Sequence, residues 1–447
     1  MFYGLDPNIV RYLMRKVRKE LNFRQNDVSE EDMGYGTISN IERGAENVDE
    51  QKVFRYLKKL GLDDERKLTK LVRQVEEDID NLTFQLQQIE SMIDNNKSTI
   101  AYPLLKNITI ESFHPLAPFL NYLQGRYYYA KKDFKKAEKY YKLAIRLCNR
   151  YKLNPKDNIV SACHNELSIC SYAQNNLTKA EEDVEKGLSV YDENKERKDI
   201  KHSLMTNKIL YLIRSSQYFE VAPILEETWG LIPQIDSVHV RLNLYKSRAV
   251  FLRKMKKYEE AIDVCKEGID IARRNRSENR QLGLITVLGS VFFLQKRYEK
   301  AKQRFQSVLD YDPEGKFPRR KLEAITFLSI IHLHQKNWSE AENQIKEAIE
   351  IGRNTTDVYR LTKALIVCGN IYSSQHQYEK AAPFYQEAEF LTEKNGYKER
   401  QHTALLQLAY CFGKMNKEND RNILMNKLVD LQRNLNVQSE DEIYGID

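Results

Sequence analysis

Residues 288–313 read LGSVFFLQKRYEKAKQRFQSVLDYDP. Small and apolar residues stand at Leu288, Gly289 and Phe292. After the polar turn Gln295-Lys296-Arg297, an aromatic at Tyr298 leads into Ala301, Phe305 and Val308. Steps of four and three keep one face of a helix. The stretch therefore predicts two apolar-striped helices joined by a turn too short for anything but antiparallel packing. Outward from it, the Ala301 position recurs at Ala137, Ala180, Ala222, Ala261, Ala341 and Ala381. The intervals are 43, 42, 39, 40, 40 and 40 residues. Three residues before these anchors stand Phe134, Leu177, Phe219, Tyr258, Tyr298, Trp338 and Tyr378. A fixed period of this length marks stacked copies of one supersecondary unit.

The second helix recurs as Ala137-Tyr141-Ala144, Ala341-Ile345-Ala348 and Ala381-Tyr385-Ala388, and the first as Leu328-Ser329-His332 and Cys368-Gly369-Tyr372. Small residues there let two helices approach closely. The pattern through Pro313 resembles the tetratricopeptide repeat, a helix pair of about 34 residues. The longer period implies longer helices or an extra loop in each pair. The unit around Ala222 fits least, with Glu226 and Trp229 where apolar and small residues are expected. The expected fold is all-α: an N-terminal helix-turn-helix domain, then a right-handed α-solenoid over residues 116–400, capped by helices within 401–447.

Composition agrees. The 447 residues hold only 17 Gly and 10 Pro, and 30% are charged. No run of eighteen apolar residues occurs and the N-terminus lacks an apolar signal core, so a cytoplasmic protein away from membranes is expected. Cys148, Cys163, Cys170, Cys265, Cys368 and Cys411 show no C-x-x-C spacing and read as reduced core residues. The net charge of +7 permits an acidic partner without requiring one. No nucleotide-binding, zinc-protease or nucleophile-elbow motif is present. Glu181-Glu182 and Glu259-Glu260 read as solvated faces. Neither an enzyme nor a cofactor or metal is expected.

Residues 1–62 have their own periodicity. Ile9, Val10, Leu13, Met14, Val17 and Leu21 stripe a first helix whose other face carries Arg11, Arg15, Lys16, Arg18 and Lys19. Phe23–Val28 reads as the start of a second. Thr37-Ile38-Ser39-Asn40-Ile41-Glu42-Arg43-Gly44 then places Ile38 and Ile41 inward and a left-handed stop at Gly44. From Gln25 to Leu62 the string resembles the phage-repressor type of helix-turn-helix. It departs in being about one residue short between Gln25 and Thr37, which implies a tighter turn, and in placing Asp32 where a leucine is usual. The segment holds eleven Lys/Arg against ten Asp/Glu, so its charges must be segregated to meet DNA. The resemblance implies base contacts from Gln25, Tyr35, Gly36 and Asn40. Thr37 and Ser39 share the outward face, and Arg24 and Arg43 suit phosphates. Residues 63–115 are expected to hold one or two helices, which could form a degenerate first repeat.

A stacked array presents a concave surface from its first helices. Counting eight, eleven, fifteen and eighteen residues back from the anchors gives one face. It carries Arg126, Tyr129, Asn165, Tyr172, Asn207, Tyr211, Arg214, Asn243, Lys246, Arg253, Phe293 and Asn370, with Lys363. Asparagines pair with peptide backbone, cations with an acidic side chain or terminal carboxylate, and aromatics wall the groove. A repressor-type module followed by such a solenoid resembles the RRNPP receptors, Gram-positive cytoplasmic sensors of secreted peptides. That resemblance implies a dimeric, quorum-sensing transcription regulator that binds a double-stranded DNA operator under control of a short signalling oligopeptide. A phage lysis–lysogeny receptor belongs to the same class. A second class implied by relatives is a helical protein that docks a response regulator and promotes its dephosphorylation, with Gln85, Gln87 and Gln88 at the contact.

Overall fold

The computed structural model describes residues 2, 4–45, 48–355 and 357–433. The polar tail at Ser439–Glu442 lies outside them. Among the described residues there are twenty-one α-helices, two isolated bridges and no strand. The N-terminal three are α1 (Pro7–Glu20), α2 (Tyr35–Arg43) and α3 (Glu50–Lys59). Then come α4 (Glu65–Asp94) and α5 (Ser98–Asn107), followed by paired helices: α6 (Ala117–Ala130), α7 (Phe134–Tyr151), α8 (Ile159–Ala173), α9 (Leu177–Ser189), α10 (Ile200–Arg214) and α11 (Tyr218–Gly230). The array continues through α12 (Val238–Lys254), α13 (Tyr258–Arg274), α14 (Glu278–Leu294), α15 (Tyr298–Tyr311), α16 (Pro318–His334) and α17 (Trp338–Thr355). It ends with α18 (Val358–Ser374), α19 (Tyr378–Asn395), α20 (Lys398–Lys414) and α21 (Glu418–Arg433). Backbone contacts group the chain into two units, Met1–Cys170 with Asp183–Ile200 and Ser171–Glu182 with Lys201–Asp447.

The 40-residue period comes from long helices, not from an added loop. α12, α13 and α14 are each 17 residues, with three-residue turns between them. Within each pair the turn has a left-handed middle residue: Lys256, Lys296, Lys336, His376 and Asn416 all have φ between 57° and 60°. The next amide reaches back to a helical carbonyl, as Arg297 N to Phe292 O at 2.9 Å. This backbone closure holds the left-handed residue without glycine. The small positions act as expected. A Cβ on Gly289 would stand 2.7 Å from the Phe305 ring, and one on Gly369 2.5 Å from Tyr385, so each glycine seats the aromatic of its partner helix.

The unit of weakest fit is a register error in the sequence reading. Val221, Leu225 and Thr228 are fully buried while Ala222 is half-buried, so the anchor of α11 is Val221. The residue lies five after the left-handed Ser216, the same spacing as Ala261 from Lys256 and Ala301 from Lys296. A valine replaces the alanine, and counting small residues alone missed it. At the C-terminal end, Leu405, Leu408, Phe412, Leu424 and Leu428 are buried on α20 and α21, and Leu431 is half-buried against the same core. All six cysteines are buried and free.

In the first unit, α1, α2, α3 and the start of α4 share one core built on Val10, Met14, Met33, Ile38, Tyr56, Leu57, Leu68 and Val72. Gly44 ends α2 at φ 70°, the left-handed stop the motif requires. Phe23–Val28 does not form the expected helix; these residues make turns closed by Asp27 N to Arg24 O and Ser29 N to Asn26 O. The shortened spacing leaves too few residues for a regular helix. α4 runs unbroken through both stripes of residues 63–94.

Candidate functional site

The exposed N-terminal end of α2 follows from its sequence. Ile38 and Ile41 face the core, so Tyr35, at 62% exposure, Gly36, Asn40 and Arg43 face outward, with Thr37 and Ser39 half-buried. Space around Gly36 is open. Arg24 is exposed, its backbone amide donating to Asp27 Oδ2 at 2.7 Å. Gln25 is turned the other way, its Nε2 donating to Glu42 Oε2 at 3.0 Å.

Glu42 is the hub of this module. Its carboxylate accepts from Arg18 Nε at 2.6 Å and NH2 at 3.1 Å, and from the Tyr56 hydroxyl at 2.6 Å; Arg15 Nε lies 3.7 Å away. Burial lowers the Arg15 pKa, whereas at Arg18 the same burial is outweighed by the hydrogen bond and charge of Glu42, which raise it. Arg15 also donates to the Tyr151 carbonyl at 3.3 Å. Of the basic face of α1, Arg15 and Arg18 are therefore buried counter-charges, while Lys19 is exposed and Arg11 and Lys16 are half-buried. Arg55 and Lys59 of α3 are likewise engaged, by Asp32 and Glu30.

Elsewhere in this unit, Arg126 is held by Asp94 at 2.7 Å and Glu90 at 3.7 Å, and Arg197 by Glu90 at 2.7 Å and Asp157 at 3.2 Å. A ligand carboxylate there would meet cations already neutralised. Asn165 is buried, and Tyr129 packs on Phe134 at 5.6 Å between ring centroids.

In the second unit the array curls until distant helices meet. Glu399 of α20 accepts from Ser216 Oγ at 3.2 Å and the Tyr218 hydroxyl at 3.3 Å, and pairs with Lys254. The guanidiniums of Arg214 and Arg400 lie 3.6 and 3.4 Å from the Tyr359 ring centroid. This curvature gathers charges from α10, α12, α16 and α18. Glu323 accepts from Arg360 at 3.3 Å and Arg320 at 3.4 Å. Burial pushes its carboxyl up, but the charges of Arg360, Lys246, Arg320 and Lys363 outweigh that and hold the pKa well below the ordinary range. Burial and the neighbouring Arg320 drive Lys246 down, and burial with Arg360 brings Arg320 to about 10. Asp357 serves Arg360 at 2.8 Å and Arg319 at 3.2 Å.

The sequence stripe thus placed Arg214, Lys246 and Lys363 in this interior. It missed Arg280, Arg320, Arg360 and Arg400, although these recur at a strict period of 40 as the third residue of α14, α16, α18 and α20. Counting one more helical turn back from each anchor finds the first three. The corrected α11 register gives Thr206, Leu210 and Ile213 the equivalent stripe positions, with Asn207, Tyr211 and Arg214 each one residue further on. Tyr211 is buried and packs on Tyr172, whose hydroxyl accepts from Arg214 at 3.2 Å. Asn207 is half-buried. Asn370 is buried and accepts from the Tyr385 hydroxyl at 2.6 Å, and Phe293 is buried beside Tyr298 and His334. Arg253 donates to Ser290 Oγ at 2.8 Å. Asn243 is exposed and accepts from Arg280 at 3.3 Å. Among the described residues no helix is long and apolar enough to cross a membrane, and no group of three His, Cys, Asp or Glu could hold a metal.

Tetratricopeptide repeat models match residues 120–151, 240–314 and 292–366. No curated protein matches the sequence. Among solved structures, a Rap protein complexed with competence and sporulation factor is 12% identical and superposes at a TM-score of 0.61, covering 79% of this chain and 98% of that one. NprR in complex with its cognate peptide NprX is 14% identical, with a TM-score of 0.58 over 79% of this chain and 99% of that one. The apo form of the quorum sensor NprR from B. thuringiensis is 14% identical, with a TM-score of 0.54 over the same shares. The chain has the all-α, tetratricopeptide-repeat fold that these Rap and NprR structures share.

Proposed function

We propose that this chain is a cytoplasmic, dimeric transcription regulator whose residues 1–62 bind DNA and whose solenoid receives a short signalling peptide. The observation that carries the peptide half is the interior of the second unit. Arg214, Lys246, Arg320, Arg360 and Lys363 surround the carboxylates of Glu323 and Asp357 there, in a fold whose solved examples include peptide complexes. The DNA half rests on the outward row Tyr35, Gly36, Asn40 and Arg43 on a helix whose N-terminal end is open. Peptide would act by favouring one curvature of the array over another, a population shift. The test is purification from the native host with mass spectrometry of retained peptides, followed by genome-wide DNA selection with and without them. A retained peptide that alters selection of an inverted-repeat site is expected. No enriched DNA site in either condition would refute the regulator reading.

A second reading, docking of a response regulator, is favoured by one observation. Gln85, Gln87 and Gln88 are exposed on α4 beside Phe84, which is 62% exposed. Dephosphorylation of a phosphorylated response regulator by the full chain, abolished by Gln88→Ala with Phe84→Ala, would establish it.

A further inference from the structure

We propose that Lys246, Arg280 and Arg320 form a receptor for one carboxylate of the bound peptide, so that the solenoid selects acidic ligands. This rests on the peptide-receptor reading and specifies where and how its ligand is recognised.

Three successive first helices build the corner. On α12, Asn243 and Lys246 are one turn apart and share a face. Arg280 of α14 leans on that face, its Nε donating to Asn243 Oδ1 at 3.3 Å. Arg320 of α16 reaches back to the neighbouring residue of α14, donating from Nε to the Asn279 carbonyl at 3.1 Å and to its Oδ1 at 2.8 Å. Gly283, one turn beyond Arg280, leaves the space the Arg320 guanidinium occupies; a Cβ there would stand 3.1 Å from its Cζ.

The corner holds more positive charge than its neighbouring carboxylate, Glu323, can balance. Among the described residues no carboxylate lies within ion-pairing distance of Arg280, whose pKa burial alone depresses. Lys246 has neither a hydrogen bond nor an ion pair there; burial and the charge of Arg320 depress its pKa, and the more distant charge of Glu323 offsets this only in part. Glu323 is shared: it accepts from Arg360 at 3.3 Å and from Arg320 at 3.4 Å, and its charge also acts on Lys246. Arg320 keeps 14% of its side chain exposed, and Lys246 and Arg280 are half-buried, so all three cations are reachable from solvent.

Gathering like charges in a poorly solvated place opposes folding. The arrangement becomes favourable when an anion enters. A carboxylate can take a guanidinium fork and an ammonium together, and such charge-assisted bonds strengthen away from bulk water. Lys246 and Arg280 differ in this from Arg126, Arg197, Arg320 and Arg360, which already hold carboxylates.

The full-length protein is tested by affinity selection and mass spectrometry against two synthetic heptapeptide libraries. One is randomised with free C-termini; the other lacks Asp and Glu and is C-terminally amidated. The proteins compared are wild type, Lys246→Met and Arg280→Gln, with ligand-free Tm measured for each. The expected result is retention of acid-bearing peptides by wild type and a loss of that preference by about tenfold or more in either variant. Both variants should melt at the wild-type temperature or above it, because each removes a partly desolvated charge that has no ion-paired carboxylate. Retained peptides without acid preference, or a preference unchanged in both variants, would overturn the carboxylate receptor and leave the peptide reading standing. A lowered ligand-free Tm would make the cations structural and overturn it too. No retention from either library would remove the peptide reading and this inference with it. If inorganic phosphate stabilises wild type but not Arg280→Gln while no peptide is retained, the site is a phosphate site and the proposal fails.

Discussion

Replacing Glu42 by alanine tests whether the N-terminal module is held by its buried ion cluster. The carboxylate takes two bonds from Arg18, one from Tyr56 and one from Gln25, with Arg15 at 3.7 Å. The side chains of Glu42, Arg15 and Arg18 are 3%, 5% and 10% exposed, so water replaces little of what is lost. Two guanidiniums would remain buried with no carboxylate between them. Breaking one side of such a buried pair costs roughly 3–5 kcal/mol, mostly the penalty of the stranded charge. Tyr56 also loses its acceptor, although its hydroxyl can turn. Tryptophan fluorescence cannot report this, because Trp229 and Trp338 both lie in the second unit. Amide hydrogen exchange read by mass spectrometry can. Peptides from α1, α2 and α3 should lose protection equivalent to about 3 kcal/mol or more, with α12–α20 unchanged. Glu42→Gln should lose less, since one acceptor oxygen survives. Unchanged exchange in α1–α3 of Glu42→Ala would refute the argument that this cluster holds the module together.

Three further outcomes are expected. Asn40→Ala should relax DNA sequence preference by about 1–3 kcal/mol at one base pair, while Arg43→Ala weakens all sequences alike, as read by DNA selection; an unchanged preferred site in Asn40→Ala would remove α2 from the groove. His114 is buried, its Nδ1 accepts from Leu116 N at 3.0 Å, and burial lowers its pKa from 6.5 to about 4. Between those values the unfolded chain binds a proton the folded one refuses, so stability rises with pH across that window, by on the order of 3 kcal/mol in total. His114→Gln should flatten this slope in exchange measurements of residues 113–123. Gly369→Ala should cost about 1–3 kcal/mol in urea unfolding, because its Cβ meets the fully buried Tyr385 ring at 2.5 Å.

What the sequence determined by itself was local. Helix pairs, three-residue turns, the stop at Gly44 and the close approaches at Gly289 and Gly369 follow from spacings of three, four and forty, because each depends on residues within one pair. The register of α11 was lost where Val221 replaced the small anchor, since packing accepts a valine that a search for alanines does not. The state of each charge was decided only by tertiary structure. Nothing near Arg126 in the chain shows that Asp94 neutralises it, nor near Arg15 and Arg18 that they belong to Glu42. The stripe placed Lys246 on the concave face, but Arg280 looks like any solvated basic residue until curvature brings α12, α14 and α16 together and leaves both without an ion-paired carboxylate. An ion pair's strength depends on distance and solvent access, and a curled array sets both between residues forty or more positions apart.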